Sequence, residues 1–209
     1  SGSTARRDCL ADASATRRQR STRAPRITDR AYWPVVFLTS NAERAFPEPF
    51  LRRCLYFHIP FCTKKCPYCH FYVTVSKEKD QEKFVEALIL EWEQKKQLVR
   101  DYSLGSLYFG GGTPTLLSLP LLDKLFFHLP QVSPEIEITI EANPEKLSYE
   151  QLLFYKEKGI NRLSIGVQSF QEEELKALGR GHSAIQALQA IERAYSVGIE
   201  NISIDLMFD

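Results

Sequence analysis

The chain has 209 residues, of which 44% are hydrophobic and 25% charged; both are globular values and exclude disorder throughout. No apolar run reaches 18 residues, which excludes an ordinary transmembrane helix. The net charge of +1 is uneven: residues 1–30 carry a net +5 and residues 31–209 a net −4, so the body offers no electrostatic case for nucleic acid.

Residues 1–30 are rich in Arg, Ser, Thr and Ala and show no apolar period. Residues 31–53 add AYWPVVFL and a Pro-containing FPEPF stretch. Such a head has the Arg and Ser content of an organelle transit peptide, but acids are present and no Met starts the chain. Residues 1–53 therefore read as a disordered tail or translated upstream sequence. Residues 54–209 read as the one regular domain, and the expected location is the cytoplasm. Cys9, in the head, has no assigned role.

From residue 54, strands and helices alternate. CLYFHIP (54–60) reads as a buried strand, and 79–97 as a helix with Phe84, Val85, Leu88, Ile89 and Trp92 on one stripe. SLYFGG (106–111) is a short strand running into glycines. Ser118 is placed to cap a helix with Pro120 in its first turn and Leu121, Leu122, Leu125, Phe126 and Leu129 along one face. EIEITIE (135–141) alternates as a strand does. Ser148 and Gln151 predict a capping box for a helix that stops near Gly159. RLSIGVQ (162–168) is the fourth strand. Ser183 caps a helix expected to face Ala184, Ala187, Leu188, Ile191, Ala194 and Tyr195 inward, and Gly198 ends it. NISIDLM (201–207) is the fifth strand.

The runs GINRLSI from Gly159 and GIENISI from Gly198 repeat one junction, a glycine-ended helix entering a β-branched strand. Strands alternating with helices predict βαβ units and a parallel sheet. Right-handed crossovers place the helices outside a curved sheet or barrel. The fold class is thus α/β: a partial (β/α) barrel of about five parallel strands.

Polar residues gather where the strands end. The first strand runs into Cys62, Cys66 and Cys69; the second into Gly110, Gly111, Gly112 and Thr113; the third ends at Glu141, the fourth at Gln168, and the fifth reaches Asp205. Taken singly, Glu141 and Asp205 read as solvated strand ends and Gln168 as a helix cap. Their shared position on five strands points instead to one site, because parallel barrels carry their chemistry at the carboxyl ends of strands.

The spacing Cys62-x3-Cys66-x2-Cys69 places three thiolates on one short loop. They suit three irons of a [4Fe–4S] cube and leave the fourth iron open. Zinc with His70 competes poorly, since adjacent Cys69 and His70 point apart and no second cysteine pair follows. A redox reading of Cys66-Pro-Tyr-Cys69 leaves Cys62 unexplained. Clustered, odd-numbered cysteines also fit a reducing compartment better than a disulfide framework. Cys54 reads as a small core hydrophobe. Alone, Gly110–Gly112 fit a tight turn; after a cluster loop they fit a cradle for a cofactor's polar end. The Gly-Lys-Ser/Thr ending of a phosphate loop is absent.

The blocks LYFHIPFCTKKCPYC, YFGGGTPT, TIEANP, RLSIGVQSF and IDLMF, in this order over residues 54–209, resemble the radical S-adenosylmethionine (SAM) family. Within it, the match is to the oxygen-independent coproporphyrinogen III oxidase group and its heme-chaperone relatives. The resemblance implies that Cys62, Cys66 and Cys69 hold the cluster and that SAM chelates the open iron. One electron would then cleave SAM to methionine and a 5′-deoxyadenosyl radical. Tyr56, Tyr68, Gly111, Gly112, Thr113 and Glu141 occupy SAM-contacting positions. Gln168, Arg180 and Asp205 line the same cavity, where oxidase members bind a second SAM.

The oxidases carry a further cysteine soon after the third ligand. Here the run is Cys69-His70-Phe71. That resembles the heme-chaperone branch, which binds heme and passes it to respiratory-chain proteins, although an acidic residue is usual where His70 stands. His70 reads as a plain loop residue, with heme ligand or proton donor as alternatives. The expected ligands are the cluster, SAM and heme or a porphyrin; the expected partners are heme-accepting proteins and an electron donor. Because the chain closes after the fifth strand, it is expected to be a fragment lacking a sixth strand and a C-terminal domain. Alone it should be poorly soluble or unable to hold substrate.

Overall fold

The computed structural model describes residues 35–40, 52–75, 78–99 and 103–208. Strand β1 (Val35–Ser40) pairs antiparallel with β2 (Arg52–Ile59). Strands β3 (Ser103–Gly111), β4 (Glu137–Ala142), β5 (Arg162–Gln168) and β6 (Asn201–Leu206) follow in parallel, each beside its predecessor. The connections carry helices α1 (Glu78–Lys95), α2 (Leu119–His128), α3 (Tyr149–Glu157), α4 (Glu172–Ala177) and α5 (Ala184–Ser196). Five parallel strands in sequential order with helical crossovers make a partial (β/α) barrel, as the sequence predicts.

Period-2 alternation sorts each strand into two faces. Leu55, Phe57 and Ile59 of β2, Leu107 and Phe109 of β3, Ile138 and Ile140 of β4, and Leu163 and Ile165 of β5 lie in one buried core. The helices complete that core with Phe84, Val85, Leu88 and Trp92 of α1, Leu122 and Leu125 of α2, and Leu152 and Tyr155 of α3. The alternate positions carry polar groups. Arg162 donates to the hydroxyls of Thr139 and Ser203, and Ser203 reaches Ser164. The helix-facing side is therefore apolar and the other side polar.

Local signals hold at several junctions. Ser148 Oγ accepts from Gln151 N while Gln151 Oε1 accepts from Ser148 N, and Ser183 and Gln186 repeat the arrangement. Gly159 and Gly198 take φ of +80° and +82° after their helices, the left-handed conformation that favours glycine.

Four details differ from the sequence reading. Strand β1 lies within the segment read as a structureless head; its partner is the long apolar β2, whose outer edge it covers. Residues 1–34 and 41–51 of that head, Cys9 included, lie outside the described residues. Helix α4 was not expected, since Glu172–Ala177 is too short to display an apolar period; only Leu175 is buried. Ser118 stands at the N-cap of α2 without a side-chain capping bond. On α5 the buried stripe is Ala187, Ala190 and Ala194, whereas Leu188 and Tyr195 are exposed. Small side chains let α5 pack closely on α3 and on the turn of residues 144–146, so the larger ones are turned outward.

Candidate functional site

The segment after β2 closes on its own root. Cys62 N donates to Thr74 O at 3.0 Å, and Thr74 N to Pro60 O at 2.8 Å. Inside this closure the chain turns tightly at Pro67-Tyr68, with Cys69 N donating to Cys66 O at 3.1 Å. Cys62, Cys66 and Cys69 are unbridged and partly exposed. Burial pushes the Cys62 thiol up; the Thr113 hydrogen bond opposes this, and the negative charges that Cys69 and Cys66 carry as thiolates add to it. Metal uptake here would release protons.

Among the described residues no three His, Cys, Asp or Glu converge where one ion could sit. A cubane makes a different demand, because each thiolate takes its own iron and the sulfurs stand apart around the cluster. Three accessible thiols on one closed loop meet that demand.

Strand β3 delivers the glycines against this loop. Gly112 N donates to Ile59 O at 2.8 Å and Thr113 N to Phe61 O at 2.7 Å. A Cβ on Gly112 would lie 2.6 Å from Phe61 O and 2.7 Å from Pro60 C, so only glycine admits this approach. Gly111 has φ +117°, and its amide donates to Glu141 Oε2 at 2.9 Å. Tyr108 Oη donates to Glu141 Oε1 at 2.9 Å. Burial pushes the Glu141 carboxyl up against these two bonds, and the charge of Asp205 adds to the rise. Tyr108 is raised as well, by burial and then by Glu141. Tyr56 stacks on Tyr108 with ring centroids 5.8 Å apart and shares a hydrogen bond with His58 Nδ1 at 3.2 Å.

Arg180, between α4 and α5, joins the strand ends to the cysteine loop. Its Nη1 donates to Tyr68 Oη at 3.1 Å and to Cys66 Sγ at 3.7 Å. Its Nη2 donates to Asn143 Oδ1 at 2.5 Å and to Gly166 O at 2.6 Å. Arg180 Nε is buried with no hydrogen-bond partner among the described residues. An orphaned cationic donor beside the cysteines suits an anionic group there. Burial, opposed by the Arg180 charge, leaves Tyr68 pushed up to about 12.

The structure thus brings Cys62, Cys66, Tyr68, Thr113 and Arg180 into one hydrogen-bonded group through Asn143; Gly111 and Glu141 form a second with Tyr108, on which Tyr56 stacks. Gln168 takes φ +75°. Its Nε2 lies 3.1 Å from where a Gly166 Cβ would stand, the same point approached by Asn143 Oδ1 and Arg180 Nη2. Asp205 is exposed on β6, within electrostatic reach of Arg162, Arg180 and Glu141. His70 is exposed on the loop. Sequence reasoning missed Tyr108, Asn143 and His58. Tyr108 and His58 were absorbed into apolar strands, although both fall on the polar alternation. Asn143 sits two residues after Glu141 and just before a proline, a strand-end position that could have flagged it.

The radical SAM superfamily model matches residues 56–208. The heme chaperone HemW of Escherichia coli (strain K12) is 40% identical over 158 residues, 73% of this chain and 42% of that protein. Radical S-adenosyl methionine domain-containing protein 1, mitochondrial, of Danio rerio is 34% identical over 176 residues, 83% of this chain and 40% of that protein. Among solved structures, coproporphyrinogen III oxidase (HemN) from Escherichia coli superimposes with a TM-score of 0.69 at 30% identity, covering 73% of this chain and 36% of that one. The chain spans about two-fifths of the length of the curated relatives it matches. No helix among the described residues is long and apolar enough to cross a membrane.

Proposed function

Because the chain belongs to the radical SAM superfamily, whose cofactors are a [4Fe–4S] cluster and SAM, we propose that it serves as a heme chaperone. It would bind heme and hand it to accepting proteins. The observation that carries this reading is the run Cys69-His70-Phe71, where a coproporphyrinogen-decarboxylating oxidase would show a further cysteine. The higher identity to HemW than to HemN supports it.

In this proposal Cys62, Cys66 and Cys69 each hold one iron. When bound, the cluster supplies a single electron to SAM; the chain's residues bind and orient. Glycines 110–112 let Glu141, His58 and the root of the cysteine loop close on the end of β3, where SAM would lie. Glu141, fixed by Gly111 N and Tyr108 Oη, is an acceptor for the N–H and O–H groups of SAM. Tyr56 and Tyr108 form an aromatic wall, and Gln168, Arg180 and Asp205 close the far side. The donor of the electron and the heme acceptors are proteins of the same compartment. We assign that compartment as the cytoplasm, where the free Cys62, Cys66 and Cys69 would stay reduced.

Anaerobic reconstitution followed by two assays tests the reading. Saturable heme binding without turnover of coproporphyrinogen III is the expected result. Turnover of coproporphyrinogen III with methionine release would instead make the protein an oxidase.

A further inference from the structure

Three side chains form a continuous bridge between two of the three loop cysteines. Cys62 Sγ lies 3.7 Å from Thr113 Oγ1. Thr113 Oγ1 lies 3.0 Å from Asn143 Nδ2. Asn143 Oδ1 lies 2.5 Å from Arg180 Nη2, and Arg180 Nη1 lies 3.7 Å from Cys66 Sγ. Asn143 is the midpoint.

The direction of every proton along this bridge follows from what each group can do. A guanidinium only donates, so the Asn143 oxygen must face Arg180. Its amide nitrogen must then face Thr113, where it donates to the hydroxyl oxygen. A threonine hydroxyl has one proton. With its oxygen already accepting from Asn143, that proton is free to point at Cys62. Thr113 is buried, 4% exposed, so no bulk water competes for it. Gly166 leaves room for the arrangement: a Cβ there would stand 3.2 Å from Asn143 Oδ1 and 3.4 Å from Arg180 Nη2.

We propose that Asn143 is a positioning residue for the cluster. Its amide holds the Thr113 hydroxyl proton on Cys62 Sγ and thereby raises the cluster's reduction potential. Hydrogen bonds to ligating sulfurs are among the factors that set such potentials, because they stabilise the more negative reduced state. The proposal rests on the reading of Cys62 and Cys66 as cluster ligands. It adds a role for a residue that touches neither sulfur.

The test is an EPR-monitored redox titration of the anaerobically reconstituted protein without SAM. It compares wild type with Thr113→Ser, Thr113→Val, Asn143→Asp and the double variant N143D/T113V. Asp is nearly isosteric with Asn and still accepts from Arg180, but as a carboxylate it cannot donate to Thr113. It draws the hydroxyl proton to itself and turns an oxygen lone pair toward Cys62. T113S should keep the wild-type potential. T113V should shift it negative, and N143D should shift it negative too. In the N143D background, adding T113V should move the potential little, since the hydroxyl no longer serves the sulfur. An unmoved potential in T113V overturns the proposal, and so does an equal T113V shift in both backgrounds. The T113S and T113V pair tests the Thr113–Cys62 bond even where N143D fails to fold. Iron content separates this from the underlying assignment: a full cluster with unmoved potentials sinks the bridge alone, whereas a wild-type protein that takes up no cluster sinks the cluster reading.

Discussion

Gly111 donates its backbone amide to the carboxylate of Glu141 at 2.9 Å, across the parallel pairing of β3 with β4. The bond ties the glycine run to the acid at the end of the next strand. Its cost is a buried carboxyl whose protonation is favoured by burial.

Glu141→Gln should therefore separate binding from stability. A hydrogen bond to a charged group is worth about 1.5–3 kcal/mol, so SAM affinity should fall by about tenfold or more, read by equilibrium dialysis of the reconstituted protein. Stability should move the other way. The folded value of Glu141 lies above its ordinary 4.5, so the fold binds this proton more tightly than the unfolded chain does. The associated stabilisation is full below 4.5 and is lost as pH rises through the folded value. Without SAM, the wild type should lose stability relative to E141Q as pH rises above 4.5, measured by denaturant unfolding across pH.

Glu145 should show the opposite slope. Burial, the largest single influence, would raise it, but the bond from His182 Nδ1 at 3.2 Å, a backbone hydrogen bond and the charges of His182 and Arg180 together hold it below its ordinary 4.5. Its contribution is present above 4.5 and is lost as pH falls through the lower folded value. Glu145→Gln should flatten the acid limb of the stability profile below 4.5. An unchanged acid limb would show that the pair does not act in the fold.

Gly112→Ala should damage both fold and site. The added Cβ meets backbone atoms of Pro60 and Phe61 at 2.6–2.8 Å, and backbone cannot swing aside as a side chain can. Overpacking of this kind costs about 1–3 kcal/mol. The shift would fall on the root of the cysteine loop, so iron uptake on reconstitution should drop along with the unfolding midpoint.

Ser183→Ala removes the hydroxyl that accepts from Gln186 N at 3.2 Å. Loss of such a cap costs about 1 kcal/mol. Denaturant unfolding should show that loss with no change in iron content, since the hydroxyl's bond runs within the first turn of α5 and not to the cysteine loop.

Several features were legible because they are local. The Ser148 and Ser183 boxes, the stops at Gly159 and Gly198, and the span of β5 all follow from side-chain chemistry within a few residues. The convergence of Thr113 and the cysteines was legible only as a shared position at strand ends, and Arg180 only through the family resemblance. Strand β1 was not, because its register with β2 is a contact between distant segments and AYWPVVFL carries no clear alternation. The inward stripe of α5 was misjudged because hydrophobicity ranks Leu188 and Tyr195 above Ala190, whereas close packing on α3 and the 144–146 turn selects small side chains. Asn143 went unread because its importance lies in two partners 30 and 37 residues away along the chain.

Iron and sulfide content of anaerobically reconstituted wild type and Cys66→Ala tests the central claim most directly. The account predicts about four irons and about four sulfides per chain in the wild type and loss of the intact cluster in C66A. A C66A protein that retains the full complement, or a wild type that takes up none, would contradict it.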